Sequence, residues 1–155
     1  MTPDRAASSI GVAGWTATRR RHVEIVDHRP GTEWAVARLQ ALERRWKPLP
    51  VVVDPASPAG SLLVDLAAAG VPTETVNARE YGQGCGQFFD AVADGKVAHL
   101  DQPVLNLAVA AARKRALGDA WAWARKSGGD ISPLVAVTLA CYGLVRAGQG
   151  DAQIL

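Results

Sequence analysis

The chain has 155 residues, 48% of them hydrophobic, and a mean hydropathy near zero, which is enough for one well-buried core and too short for two ordinary domains. Its 17 basic and 15 acidic residues leave a net charge of only +2, so any nucleic-acid surface has to come from local clustering of cations rather than from the field of the whole molecule. Cys85 and Cys141 have neither the number nor the spacing of a disulfide framework or a thiolate metal site, and two free buried thiols in a reducing compartment are expected.

The opening MTPDRAASS lacks the apolar core of a signal peptide, and Asp65, Asp90 and Asp94 interrupt the apolar middle of the chain. A membrane span is therefore not expected, and the host cytoplasm is the expected location. Ser8 to Trp15 and the alternating Val23 to His28 predict a hairpin joined by the basic link Thr16 to Arg21, and two strands alone need a larger sheet to be stable. Pro30-Gly31 punctuates the chain. Thr32 then predicts a helix with Glu33 in its first turn, running along Trp34, Leu39, Leu42 and Trp46 to Pro48 and Pro50.

Val51 to Val53, all β-branched, predict a strand covered on both faces. After it the pattern alternates: a helix from Ala59 to Ala69, a strand from Val71 to Val76, a helix from Ala78 to Ala93, and a short extended segment from Val97 to Leu100. A helix over Gln102 to Arg113 is expected to end in the cations Lys114-Arg115, and Ala120 to Ala124 to be a strand with Trp121 and Trp123 on one side. The last helix opens at Asp130, with Leu134, Val137, Thr138, Cys141 and Val145 on its inner face. Strands alternating with helices imply an α/β fold with parallel strand pairs, one domain over residues 1–147 and a loose tail over 148–155.

Two carboxylates stand out. Asp54 ends the Val51 strand and Asp130 opens the last helix, so the fold can converge them from distant parts of the chain. Converging carboxylates repel unless a cation or a proton intervenes, and Mg²⁺ or Mn²⁺ suits all-oxygen ligation while leaving room for phosphate. The plainer readings are an Asx turn from Asp54 into Pro55-Ala56 and a simple N-cap at Asp130. Asp27, Asp119, His22, His28 and His99 lack a metal-binding spacing and are expected in surface or core-satisfying roles. Two clusters, Arg19-Arg20-Arg21 and the series Arg113, Lys114, Arg115, Arg125 and Lys126, are candidates for contacting phosphates on either side of a duplex. Gly82-Gln83-Gly84-Cys85-Gly86 lacks the Lys-Ser/Thr ending of an ATP-binding loop.

The segments SIGVAGW, HVEIVDHRPGTEW, VVVD, AREYGQGCGQFFDAV, HLDQP and GGDISPLVAVTLA, in that order, resemble the nuclease domain of the large terminase subunit of tailed phages and prophages. The resemblance covers nearly all of Ser8 to Gly143. It implies an RNase H-like mixed sheet flanked by helices, and a two-metal endonuclease that cuts concatemeric double-stranded DNA during genome packaging. It carries the family's second carboxylate to Asp54 and its late-helix carboxylate to Asp130, with two Mg²⁺ or Mn²⁺ ions as cofactors and the ATPase motor, small terminase subunit and portal as partners. The family's first carboxylate belongs to an opening strand that would be ending at Met1. Asp4 is the nearest acidic residue, and Pro3 with its position beyond the strand makes it a poor substitute. That strand is central in the family fold, so an N-terminally truncated domain is implied, with open sheet edges, self-association and weakened catalysis. A noncatalytic DNA-binding or packaging-complex module is the alternative, and it would bind DNA without Asp54 or Asp130.

Overall fold

The computed structural model describes residues 1–126 and 128–148. Strands β1 (Ala7–Trp15) and β2 (Arg21–Pro30) form the antiparallel hairpin, with a register shift between Ile10 and Gly11, and β2 pairs in parallel with β5 (Val97–His99). This mixed sheet has the order β1-β2-β5. Where β5 ends, the side chain of Gln102 takes over as a substitute strand. Its Nε2 donates to the Ile25 carbonyl at 2.9 Å and its Oε1 accepts from the Ile25 N–H at 2.7 Å, so both backbone groups of that residue are satisfied.

The sequence after the hairpin folds as α1 (Ala35–Trp46), β3 (Val51–Val53), a 3₁₀ turn (Pro58–Leu62), α2 (Leu63–Ala68) and β4 (Thr73–Thr75). The expected single helix over Ala59 to Ala69 is thus split, with Pro58 at the start of a 3₁₀ turn that passes into a short α-helix at Leu63. Strands β3 and β4 form a separate parallel pair. A small apolar cluster of Val53, Leu66 and Val71 packs beneath them.

Helix α3 (Ala78–Ala93) starts where the sequence predicts because Asn77 and Glu80 form a reciprocal capping box. Helix α4 (Pro103–Ala111) follows β5, and the hairpin β6 (Lys114–Leu117) with β7 (Ala120–Trp123) precedes α5 (Ser132–Gly148). Lys114 and Arg115 therefore open a strand rather than close a helix. Ala112 is already extended (φ −61°, ψ 138°), Lys114 pairs with Trp123 across the hairpin, and the Lys114 ammonium lies 3.7 Å from the Phe89 ring centre and 4.2 Å from that of Trp121. Tertiary contacts outweigh helix propensity here. The main core joins Val23 and Ile25 of β2 to Tyr81, Cys85 and Phe88 of α3, Leu105 and Ala108 of α4, Trp123 of β7 and the inner face of α5. Both cysteines are free and buried. No helix among the described residues is long and apolar enough to cross a membrane.

Two glycines let α5 lie against both pieces of sheet. A Cβ on Gly11 of β1 would stand 2.9 Å from the backbone of Ala136 and Val137, and one on Gly143 of α5 would stand 2.6 Å from Val52 of β3. Helix α5 runs along β1, from Ser132 at Ser9 to Gly148 near Trp15, and touches β3 along its other flank. Strands β1 and β3 belong to separate sheets and are not hydrogen-bonded to one another.

Candidate active site

Asp54 follows β3 directly and is 6% exposed. Its Oδ1 accepts from the Ala56 N–H at 2.9 Å, which is the Asx turn, and its backbone carbonyl accepts from the Ser57 N–H and hydroxyl at 3.0 and 2.7 Å. These bonds fix the carboxylate at the strand end and leave Oδ2 for another partner. That partner is Arg125, whose Nη2 lies 2.8 Å away. The contact is an ion pair without hydrogen-bond alignment, for the buried Nη2 has no hydrogen-bond partner among the described residues. The guanidinium also lies over the Tyr81 ring, 4.4 Å from its centre. Burial, with the neighbouring Cys85, raises the pKa of the Tyr81 hydroxyl against the opposing pull of Arg125, so the phenol stays protonated.

Asp130, one residue before the cap position of α5, both bonds the helix start and reaches outward. Its Oδ1 accepts from the Ser132 N–H at 2.8 Å, and its Oδ2 lies 3.6 Å from His28 Nε2. His28 Nδ1 in turn shares a 2.8 Å hydrogen bond with the Ser9 hydroxyl, which lies 2.8 Å from the Ser132 hydroxyl. Asp130, His28, Ser9 and Ser132 thus form one polar network joining the start of α5 to the β1–β2 hairpin. The Met1 amino group lies within electrostatic reach of both Asp130 and Arg125. Burial draws its pKa down to about 6, while Asp130 acts to raise it and Arg125 to lower it. Arg125 pairs with Asp54 directly and acts on the same amino group as Asp130.

The network around Asp130 was not legible locally. Ser9 and His28 face each other in the hairpin register, a long-range pairing that spacing along the chain does not reveal. Arg125 was legible only as a cation. It faces Asp54 with its side chain 17% exposed, while Arg113, Lys114, Arg115 and Lys126 are exposed. Arg19 and Arg20 lie exposed in the β1–β2 turn, where Arg20 donates to the Val97 carbonyl and Arg21 to the Gln87 carbonyl. Arg21 precedes His28 by seven residues of β2, about 23 Å at strand rise, so the Arg19–Arg21 cluster sits at the opposite end of the hairpin from Asp130.

Asp27 is also accounted for by pairing. Burial works to raise its pKa, but Arg38 on one oxygen and Arg29 on the other bring it net below the ordinary carboxylate value. Asp119 lies exposed in the turn between β6 and β7.

The donors present do not fit a divalent ion as they stand. No group of three or more His, Cys, Asp and Glu side chains among the described residues could hold a metal. Asp54 is paired through both oxygens, and the oxygen facing the site is taken by a cation. Oxygen chemistry suits Mg²⁺ or Mn²⁺, but the set is short of a ligand and already charge-compensated.

No protein-family model matches the sequence, and no curated protein matches it. Among solved structures, the crystal structure of the large terminase nuclease from thermophilic phage G20c is similar, with a TM-score of 0.62 and 15% identity over 86% of this chain and 81% of that one. Its cobalt-bound and magnesium-bound crystal structures each give a TM-score of 0.62 and 16% identity over 88% of this chain and 80% of that one. Identity at this level speaks for the fold. The chain is a single α/β domain with a mixed sheet flanked by helices, consistent with the RNase H-like fold of that terminase nuclease.

Proposed function

We propose that this domain is the nuclease module of a phage DNA-packaging terminase, a divalent-metal-dependent endonuclease acting on double-stranded DNA, with Asp54 and Asp130 as two of its carboxylates. The observation that supports the reading is the fold, similar to that of a terminase nuclease crystallised with magnesium and with cobalt, together with Asp54 at the end of β3 and Asp130 just before α5, 76 positions apart in sequence, and with Arg125, on the connection leading to Asp130, reaching Asp54.

The missing ligand has a natural place. In this reading a further strand pairs with the open edge of β1, the edge strand of its sheet, and brings its carboxylate toward Asp54 and Asp130. A carboxylate on that strand would complete the oxygen set for Mg²⁺ or Mn²⁺, two ions in this reading. The strand could come from sequence preceding Met1 or from a second copy of the chain, and the open edges favour self-association until they are covered. When bound, the ions would supply Lewis-acid polarisation of phosphate and water. Arg113, Arg115 and Lys126, exposed before and within β6 and after β7, are the cations this reading assigns to a duplex backbone, with Lys114 beside them on the Phe89 and Trp121 rings. The ATPase motor, small terminase subunit and portal are partners under the same reading.

Incompleteness of the carboxylate set favours a second reading, a DNA-binding module of the packaging complex without catalysis. Plasmid nicking and linearisation with Mg²⁺ or Mn²⁺ separates the two. The nuclease reading expects cleavage that EDTA, Asp54→Ala and Asp130→Ala each abolish, strengthened by supplying an Asp-bearing strand upstream of Met1. DNA binding that survives both substitutions, with no cleavage even when that strand is supplied, would establish the second.

A further inference from the structure

We propose that the cleft between α3 and α4 is a docking groove for an acidic amphipathic helix of a partner protein, with Lys114 receiving the partner's carboxylate. The groove uses neither Asp54, Asp130 nor Arg125, so its occupant does not depend on the nuclease reading.

The sequence of α4 poses the question. In Pro103–Ala111 only Asn106 is polar, and a helix apolar around its whole circumference is ordinarily buried. Here the core takes one face, through Leu105 and Ala108, while Leu107 and Val109 are 71% and 53% exposed. A helix this short cannot span a bilayer, so a protein surface is the cover it calls for. Helix α3 repeats the pattern. Its core stripe holds Tyr81, Cys85 and Phe88, and a second apolar pair, Phe89 and Val92, is 43% and 52% exposed.

These leftover surfaces face one cleft of about 560 Å³. Phe89 and Val92 line it from α3, Val109 and Ala110 from α4, and the buried Val23 and Leu105 line it more deeply. An apolar groove walled by two helices suits a third, whose side chains at i, i+3 or i+4 and i+7 enter it.

Charge selects the partner's polar flank. No carboxylate lines the cleft, and Lys114 is the one Lys or Arg that does. Its ammonium rests on the Phe89 and Trp121 rings and belongs to no ion pair among the described residues. An incoming Asp or Glu would meet a cation already positioned at the rim, and an incoming Lys or Arg would meet repulsion. A duplex is a poorer occupant, because its phosphates would lose water against apolar walls.

The test is fluorescence anisotropy of a labelled helical peptide of about four turns, with leucines along one face and glutamates flanking them, titrated with the full chain. A matched peptide carries lysines in place of the glutamates. The glutamate peptide is expected to bind about tenfold or more tighter at low salt, with the preference shrinking as salt rises. Val92→Asp and Val109→Asp, both at exposed positions, are each expected to weaken it about tenfold or more, and Lys114→Gln to remove the preference between the peptides. In the unaltered chain, the Phe89, Val92, Val109 and Ala110 amides are expected to shift in NMR spectra when the glutamate peptide is added, a readout that needs no variant. Failure of both peptides to bind, equal affinity for the two, or binding indifferent to Val92→Asp and Val109→Asp would overturn the proposal. Occupation by something else would overturn it too. Decanoate shifting the same amides while neither peptide binds would make the cleft a small-molecule site, and concentration-dependent sedimentation that Val109→Asp returns to monomer would make it an interface between copies of this chain.

Discussion

Replacing Gly11 with alanine is expected to destabilise the domain by about 1–2 kcal/mol, and the same change at Gly86 to stabilise it by about 0.5–1 kcal/mol. The added methyl at Gly11 would lie 2.9 Å from Ala136 C and Val137 N and 3.1 Å from Ala136 Cβ. Carbon atoms pack best at about 3.5–4.0 Å, and the obstructing atoms are helix backbone, which no rotamer change can move. Helix α5 must therefore shift off β1, a distortion of the overpacking kind that costs about 1–3 kcal/mol. Against this, alanine loses less entropy on folding than glycine does, a gain of about 0.4–1 kcal/mol. At Gly86, inside α3, the added methyl meets nothing within 4 Å, so only the favourable terms remain. Thermal unfolding followed by circular dichroism should place Gly11→Ala about 2–8 °C below the unaltered chain and Gly86→Ala about 1–4 °C above it, using about 2–4 °C per kcal/mol for a domain of this size. A Gly11 variant as stable as the parent would refute the close seating of α5 on β1, and with it the geometry that brings Asp130 to Ser9 and His28.

Two further outcomes follow from single side chains. Gln102→Leu leaves the Ile25 N–H and C=O without the side-chain partners they have now; a loss of about 1–3 kcal/mol in urea unfolding is expected, together with faster hydrogen exchange of the Ile25 amide, and unchanged exchange would contradict the clamp. Asp27, with its folded-state pKa held down by Arg38 and Arg29 despite burial, contributes stability that is present above the ordinary carboxylate value, about 3.9, and is lost as pH falls through and below it. Asp27→Asn should therefore flatten the fall in urea midpoint between about pH 5 and pH 3, and an equally steep fall in the variant would show that other carboxylates carry it.

The sequence is most readable where local chemistry decides the structure. Asn77 and Glu80 announce the start of α3, the β-branched Val51–Val53 announce a strand, and Asp54 and Asp130 stand at the strand end and helix start where they were expected. Asp54 forms the expected Asx turn, and Asp130, expected as the N-cap, instead stands one residue before the cap position and bonds the Ser132 N–H two residues on. A local turn bond uses one carboxylate oxygen and leaves the other free, so these roles coexist with a functional one. What failed was decided at long range. Lys114-Arg115 read as a helix terminus because the aromatic platform of Phe89 and Trp121 lies outside any local window. Arg125 read as a surface cation because its pairing with Asp54 spans 71 positions of sequence. His28 read as incidental because its link to Asp130 and Ser9 depends on hairpin register and on the seating of α5.

The central claim is that Asp54 and Asp130 share a divalent-ion site that a further strand completes. Crystals of the domain soaked in Mn²⁺, with the Asp-bearing strand supplied upstream of Met1, test it most directly through the anomalous signal of the metal. The account predicts Mn²⁺ coordinated by Asp54 Oδ2 and Asp130 and the supplied strand hydrogen-bonded to the open edge of β1. Mn²⁺ bound elsewhere, with the supplied strand unpaired with β1, would contradict it.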